Sequence, residues 1–351
     1  MSRVHVRSER EYDVLIGEDW RALLPHLCTG RKRVALVYSK ATASLLHPIP
    51  KLSAEVTHIE IEDGENGKSP QSLLTIIEAL GAGGFTRSDV VVAIGGGAVT
   101  DIAGFAAATW LRGVDWISIP TTVAGAVDAA IGGKTGANTA HGKNLFGAFH
   151  SPTAVIVDLS WFETLSDRDF AAGLAEVVKC GFIKDASILD LIEGKSLQSI
   201  RSNPVVVEYL VRKAVTVKAL TVSKDFRESK EREILNYGHT LGHAIEQSSG
   251  YRLRHGECVS IGMVFAAELA AAQNFIEPEL VDRHRTILQS LGLPISYDRD
   301  QWSQLEPLLW LDKKSRGSTL RFVLLTGLGE TIRYHVESSD ELRATYEKVS
   351  S

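Results

Sequence analysis

The chain has 351 residues, a little over two domains at about 150 residues each, with 44% apolar and 23% charged residues. Lys and Arg number 38 against 43 Asp and Glu, a net charge of −5, which disfavours nucleic-acid binding by a general basic surface. Three cysteines are too few and too odd for a disulfide framework and point to a reducing compartment.

The N-terminus carries no apolar stretch of the secretory kind, so the expectation is a cytoplasmic protein. The segment Val90 to Leu111 is apolar enough to raise a membrane span. Its glycines at Gly95 to Gly97 instead break it into a strand and a helix, which reads as buried core.

In chain order, strand patterns fall at Arg33–Tyr38, His58–Ile61, Val90–Ile94, Val114–Ile119 and Ala154–Val157. Between the second and third, Pro70–Gly83 has apolar residues at helical spacing. This alternation predicts a parallel sheet with helices on both faces, an α/β Rossmann-like nucleotide-binding domain over 1–165. After Leu165 the period becomes mostly helical. Helices are predicted at Arg168–Ile183, Ser187–Ile192, Pro204–Val222, Ile234–Gln247, Gly256–Gln273 and Glu279–Leu291, with a short strand pair near Arg321–Leu325. The second domain, 166–351, is therefore expected to be mostly α-helical, with a ligand cleft between the two.

Of 30 glycines, 11 fall within residues 91–150, where backbone must approach a ligand closely or take unusual dihedrals. Val90–Ile94, Gly95-Gly96-Gly97 and the helix holding Asp101 form a strand, glycine turn and helix N-terminus. That is the physical recipe for a diphosphate cradle. It is not the G-x-G-x-x-G fingerprint, and a tight turn without a ligand is the plain alternative. Gly133-Lys134-Thr135 is not a phosphate-binding P-loop, because that motif requires glycine at position 128 and Asp128 stands there. Lys134 and Lys143, read as lysines on glycine-flanked loops, suit a small phosphorylated substrate; solvated loop lysines are the alternative.

His239, His243 and His255 cluster within 17 residues. His239 and His243 are i, i+4 on one helical face, the spacing a metal site uses. Gly238 and Gly242 beside them leave room for a ligand or another backbone. Glu176, in an apolar stretch where an unpaired charge is expensive, is the candidate carboxylate ligand; with Lys179 it could equally form an i, i+3 salt bridge. Cys258 reads as buried and inert. The charged run Lys224 to Glu233 reads mostly as a solvated face or turn, from which Arg232, seven residues before His239, could still point into the site, as could Lys218.

Taken together these motifs resemble the 3-dehydroquinate synthase family of sugar phosphate cyclases. The resemblance runs through Gly95 to Phe105, Arg112-Gly113, Pro120 to Thr122, Val127-Asp128, Gly132 to Gly136, Gly142 to Asn144, Gly173 to Lys179, Arg232 to His239, His243 and His255 to Glu257, and extends to Asp312-Lys313-Lys314. It implies an NAD-binding α/β domain and one divalent metal, zinc or else cobalt, held by Glu176, His239 and His255. His243 would then touch the substrate. Asp128, Lys134, Asn144, Lys179, Lys218, Arg232 and Asn236 would line the pocket. Arg112 would reach the substrate phosphate of a neighbouring subunit in a homodimer. Glu65, Lys68, Gly96, Gly97, Asp101, Thr121, Thr122, Lys143 and Thr164 would hold NAD.

The resemblance further implies conversion of 3-deoxy-D-arabino-heptulosonate 7-phosphate to 3-dehydroquinate by transient oxidation, phosphate elimination, re-reduction and aldol closure. Two positions depart from the pattern. Ser39 stands where many relatives carry an acid for the adenosine ribose, and Ala129-Ala130 replace common serines. The competing readings are a cyclase acting on another sugar phosphate (aminodehydroquinate or 2-epi-5-epi-valiolone synthase), a metal-dependent glycerol-type dehydrogenase, and a non-catalytic relative.

Overall fold

Residues such as Val90–Gly95 and Val34–Val37 are buried without alternation, as strands covered on both faces must be. In the computed structural model, which describes residues 2–140, 142–316, 320–336 and 338–351 with no account of the side chains of 311–316, they form the middle of a seven-stranded sheet. Its strands are β1 (Ser2–Arg7), β2 (Glu11–Ile16), β3 (Arg33–Ser39), β4 (Glu55–Ile61), β5 (Val90–Gly95), β6 (Asp115–Pro120) and, after a separate hairpin of β7 (Lys134–Thr139) and β8 (Gly142–Phe149), β9 (Ala154–Val157). Their order is β1-β2-β9-β6-β5-β3-β4. Only β1 and β2 are antiparallel; the other pairings are parallel.

The chain leaves β3 towards β4, then returns to place β5 and β6 on the other side of β3. The sheet therefore has its switch point between the C-terminal ends of β3 and β5, where open α/β sheets bind nucleotides. The helix Gly97–Thr109 starts directly beyond β5. It is buried along most of its length among Leu73, Ile76, Trp116 and Ala137, and its own Ile102 and Phe105, both buried, contribute about 1.5–3 kcal/mol each.

The sequence reading put Lys134 and Lys143 on loops. The structure corrects this: both lie on the β7–β8 hairpin. Gly136 and Gly147 face each other across it, and a Cβ on Gly147 would come within 2.2 Å of the Thr135 carbonyl oxygen. Glycine, read as a loop signal, here permits close strand pairing.

The chain divides into two units, one of Met1–Leu165 with Lys218–Arg227, the other of Ser166–Val217 with Glu228–Ser351. The second is helical apart from the hairpin of β10 (Arg321–Gly327) and β11 (Glu330–His335). At its centre lies the helix His255–Ala272, buried on nearly all sides. Packed against it are the helices Asp167–Ile183, His239–Ser248, Pro278–Ser290 and Ser339–Lys348. The predicted helix Ile234–Gln247 is interrupted: a 3-10 turn covers Glu231–Asn236, and the α-helix begins at His239 after Gly238 takes a φ of 78°. No helix among the described residues is long and apolar enough to cross a membrane.

Candidate active site

In the first unit the glycine turn sits where the sheet topology puts a nucleotide. Gly96 is the N-cap of the helix Gly97–Thr109. A Cβ on Gly96 would stand 3.3 Å from Thr122 Cγ2, and one on Gly97 3.1 Å from Ala129 Cβ. The turn is thus crowded by the side chains of Thr122 and Ala129, and only glycine at 96 and 97 leaves the amides at the helix N-terminus open to a diphosphate. Thr121 donates its amide to the Gly95 carbonyl (3.0 Å), and the Thr122 hydroxyl accepts from the Gly125 amide (3.0 Å). These contacts fix the loop after β6 against the turn after β5. The residues fit NAD.

Lys68, buried, and Asp101, half-buried, form an ion pair beside this turn. Burial, with Glu65 and Asp128 nearby, outweighs Lys68 and holds the Asp101 carboxyl above its usual range. Glu65 gathers the hairpin: Lys143 Nζ lies 3.3 Å from it and Asn138 Nδ2 donates to it at 2.5 Å. Asn138 in turn accepts the Asn144 amide at 3.1 Å, with Asn144 in a left-handed conformation of φ 57°. Glu65, Lys68, Asp101, Lys143 and Asn144 are therefore one connected group.

Asp128 lies on a π-helical turn, Gly125–Ala129, and pairs with the buried Lys218. Lys134, exposed, opens β7. Thr164 follows the short helix Ser160–Glu163, and its hydroxyl donates to the Trp161 carbonyl at 2.6 Å. Arg112 stands apart from the cradle. It is exposed at the far end of the helix Gly97–Thr109, about 20 Å from the glycine turn along the helix axis. Leu111 and Arg112 both take left-handed dihedrals, φ 49° and 67°, a strained arrangement for side chains of this size.

In the second unit, Glu176, His239 and His255 meet from three helices. Close packing makes this possible. A Cβ on Gly262 would fall 1.8 Å from the Gly238 carbonyl oxygen, and one on Gly256 1.7 Å from that of Ala172. The first contact lets the two histidine-bearing helices touch backbone to backbone. The second seats His255 against the helix of Glu176. Gly238 and Gly242 likewise meet backbone, a Cβ on them lying 2.9 Å from the Val259 and 3.1 Å from the Cys258 carbonyl oxygen, so of the two options the sequence left open they make room for another backbone.

His239 Nε2 lies 3.5 Å and His255 Nε2 3.3 Å from Glu176 Oε1. A tetrahedral ion with bonds of about 2.1 Å has ligand atoms about 3.4 Å apart, so the three fit a zinc-sized cation. Glu176 is 1% exposed, and its carboxylate is met by the Lys179 ammonium, Nζ 2.5 Å from Oε2, and by the two histidines on Oε1. Burial alone would raise the Glu176 pKa, but Lys179 and the two histidines hold it well below the usual range. Burial and Lys179 push His239 well below the ordinary histidine value. His255 goes the other way: against the pull of burial, Glu176 and Glu246 push it up to about 10.

Lys179 and Arg232 are buried, Asn236 is half-buried, and His243 is exposed with its ring 5.3 Å from that of His239. Cys258 is buried, as are Cys28 and Cys180. Asp312, Lys313 and Lys314 have side chains outside the described residues. Sequence reasoning missed Glu246, near His255, and Glu228, which accepts from Asn236 Nδ2 at 3.2 Å. It also missed Tyr237 and His284. The His284 ring stacks on Phe182 with centroids 3.4 Å apart and accepts the Tyr237 hydroxyl at 2.9 Å. Only Glu246 had an available signal, its position seven residues after His239 on the same helical face.

A glycine turn open to a phosphate and a Glu-His-His group, buried at Glu176 and His239 and half-buried at His255, are the features of an enzyme dependent on NAD and a divalent metal. The sequence matches the 3-dehydroquinate synthase N-terminal family over residues 58–172 and the 3-dehydroquinate synthase C-terminal family over 173–315. It is 48% identical to a 3-dehydroquinate synthase of Arthrobacter sp. over 97% of this chain and 95% of that one. Among solved structures it resembles a 2-epi-5-epi-valiolone synthase from Streptomyces hygroscopicus with NAD and zinc bound. That likeness has a TM-score of 0.88 at 28% identity, over 99% of each chain. A 2-deoxy-scyllo-inosose synthase with NAD and cobalt shares the fold, with a TM-score of 0.86 at 24% identity over 99% of this chain and 100% of that one. The chain belongs to the 3-dehydroquinate synthase family.

Proposed function

We propose that this chain converts 3-deoxy-D-arabino-heptulosonate 7-phosphate to 3-dehydroquinate and phosphate, a carbon–oxygen lyase step of the shikimate pathway, in the cytoplasm. The observation that carries the reading is the Glu176–His239–His255 triad at 3.3–3.5 Å in a chain that also holds the Gly96–Gly97 cradle. When bound, NAD supplies a reversible hydride acceptor and the metal, zinc or cobalt, a Lewis acid.

The residues then divide the work. Glu65, Lys68, Gly96, Gly97, Asp101, Thr121, Thr122, Lys143 and Thr164 bind the dinucleotide. Each unit supplies cations for a phosphorylated sugar acid, Lys134 and Lys218 in the first and Lys179 and Arg232 in the second, and Asp128 holds Lys218 in place. Asn144, Asn236 and His243 bind substrate hydroxyls or phosphate. With phosphate itself available as a base, these cations stabilise charge more than they move protons.

Arg112 serves the site of a second copy in a homodimer. Its distance along the helix from its own cradle supports this. So does an exposed apolar strip close by: Phe146 contacts Phe105 of the same helix, and Leu145 and Phe149 on β8 are open to solvent.

The test mixes purified chain, the heptulosonate phosphate, NAD and a divalent metal. Phosphate release without net NADH is expected. Steady NADH accumulation on glycerol would assign a dehydrogenase instead, and a higher kcat/KM on the amino-substituted substrate would assign the amino variant.

A further inference from the structure

We propose that Glu246 is a positioning residue of the metal centre, holding His255 through the ring nitrogen turned away from Glu176. The proposal rests on the reading that Glu176, His239 and His255 bind the ion. Glu246 lies seven residues after His239 on the helix His239–Ser248, so it shares the face that carries His239 and His243. Its carboxylate is buried, 8% exposed, with Oε2 3.5 Å from His255 Nδ1. Across the same ring, Nε2 faces Glu176 at 3.3 Å. His255 is held between two carboxylates, one on each nitrogen.

An imidazole has two nitrogens and one proton to share between them. With Nε2 committed to the ion, Nδ1 carries the proton and donates it to Glu246, giving a carboxylate–histidine–metal chain. The two histidine ligands are thereby oriented by different means. His239 Nδ1 donates to a neutral carbonyl, that of Tyr237, at 3.1 Å; His255 donates to a carboxylate, which raises the basicity of its metal-facing nitrogen.

His243, Glu246 and His255 also place one ligand atom each within 4.8 Å of one another, so a second ion is the competing assignment. It would make His255 bridge two cations after losing its remaining ring proton, which neutral imidazole surrenders only far above physiological pH. It would also use His243, which is exposed. The geometry favours one ion with Glu246 behind it.

The experiment measures zinc content and affinity of the full chain by competition with a chromogenic chelator, together with the Tm of the chelator-stripped protein. The parent is expected to bind one ion. Glu246→Gln should still bind one, with Kd raised about 10- to 100-fold and an unchanged stripped Tm, and Glu246→Asp should recover part of the affinity. Equal Kd in parent and Glu246→Gln overturns the proposal, whether or not the stripped Tm falls. Two ions in the parent and one in the variant also overturn it, by making Glu246 a ligand. Should Glu246→Gln fail to fold, NMR of the zinc-loaded parent with labelled histidine decides: a His255 Nδ1 proton shifted downfield and slowed in exchange by a carboxylate acceptor is expected, and one that exchanges like a water-exposed imidazole, or is absent, overturns the proposal. A parent that binds no zinc, or a His255→Ala variant that binds it fully, instead refutes the underlying assignment of the ligands.

Discussion

His239 Nδ1 lies 3.1 Å from the carbonyl oxygen of Tyr237. A carbonyl only accepts, so Nδ1 is the protonated nitrogen and Nε2 presents its lone pair towards Glu176. The ring is thereby set for a metal before any metal arrives. His243, one turn further on, is exposed. His239→Ala should lower zinc affinity more than about 100-fold, beyond the usual effect of losing an outer partner. His243→Ala should keep the zinc and lose kcat/KM. Metal analysis beside steady-state kinetics checks both, and equal metal loss in the two variants would refute this division.

Behind Tyr237 stands His284, held neutral in the core. Burial depresses its pKa to about 3, against an ordinary value near 6.5. A depressed base binds its proton in the unfolded chain first. Stability is therefore full above about pH 6.5 and falls towards pH 3, by up to about 1.4 kcal/mol per pH unit. Urea unfolding of metal-stripped protein at pH 7 and pH 5.5 should show a steeper decline for the parent than for His284→Gln. Parallel declines would mean that His284 does not control the acid response.

Lys68 is buried and Asp101, half-buried, is its ion-pair partner. Lys68→Met leaves the Asp101 carboxylate without its cation, and a loss of about 3–5 kcal/mol in unfolding free energy is expected. Lys68→Met combined with Asp101→Asn should recover much of that loss while NAD binding stays weak. Chemical denaturation and NAD titration separate the two effects.

Gly262 allows no side chain, because a Cβ would lie 1.8 Å from the Gly238 carbonyl oxygen. Gly262→Ala must push apart the helices carrying His239 and His255. A loss of about 3 kcal/mol or more is expected, with zinc content falling alongside. Thermal unfolding and metal analysis read the two outcomes, and a fully loaded variant of unchanged Tm would refute the role given to this crossing.

Several features were legible in the residues because they are local. The unbroken apolar run Val90–Ile94 marks a strand covered on both faces, and the glycines after it mark a helix start that a phosphate can approach. The β1–β2 pair escaped notice because Ser2–Arg7 alternates polar and apolar residues over too short a span, and the three residues Ser8–Arg10 that join it to β2 hold no glycine, proline or asparagine to mark a turn. The β7–β8 hairpin escaped because its glycines carry a loop signal whose meaning depends on the strand opposite.

The sequence by itself determined which residue types were available: a glycine cradle, clustered histidines, and carboxylates and lysines in apolar surroundings. Side-chain chemistry and i, i+4 spacing are local, so they survive without coordinates. Tertiary structure alone decided which of them meet. His239 and His243 are equivalent by spacing; only the packing of the Asp167–Ile183 helix, allowed by Gly256, brings Glu176 to one and leaves the other to solvent. Glu246 became visible for the same reason. Its distance from His255 is set by the crossing of two helices, and no periodicity within either one contains it.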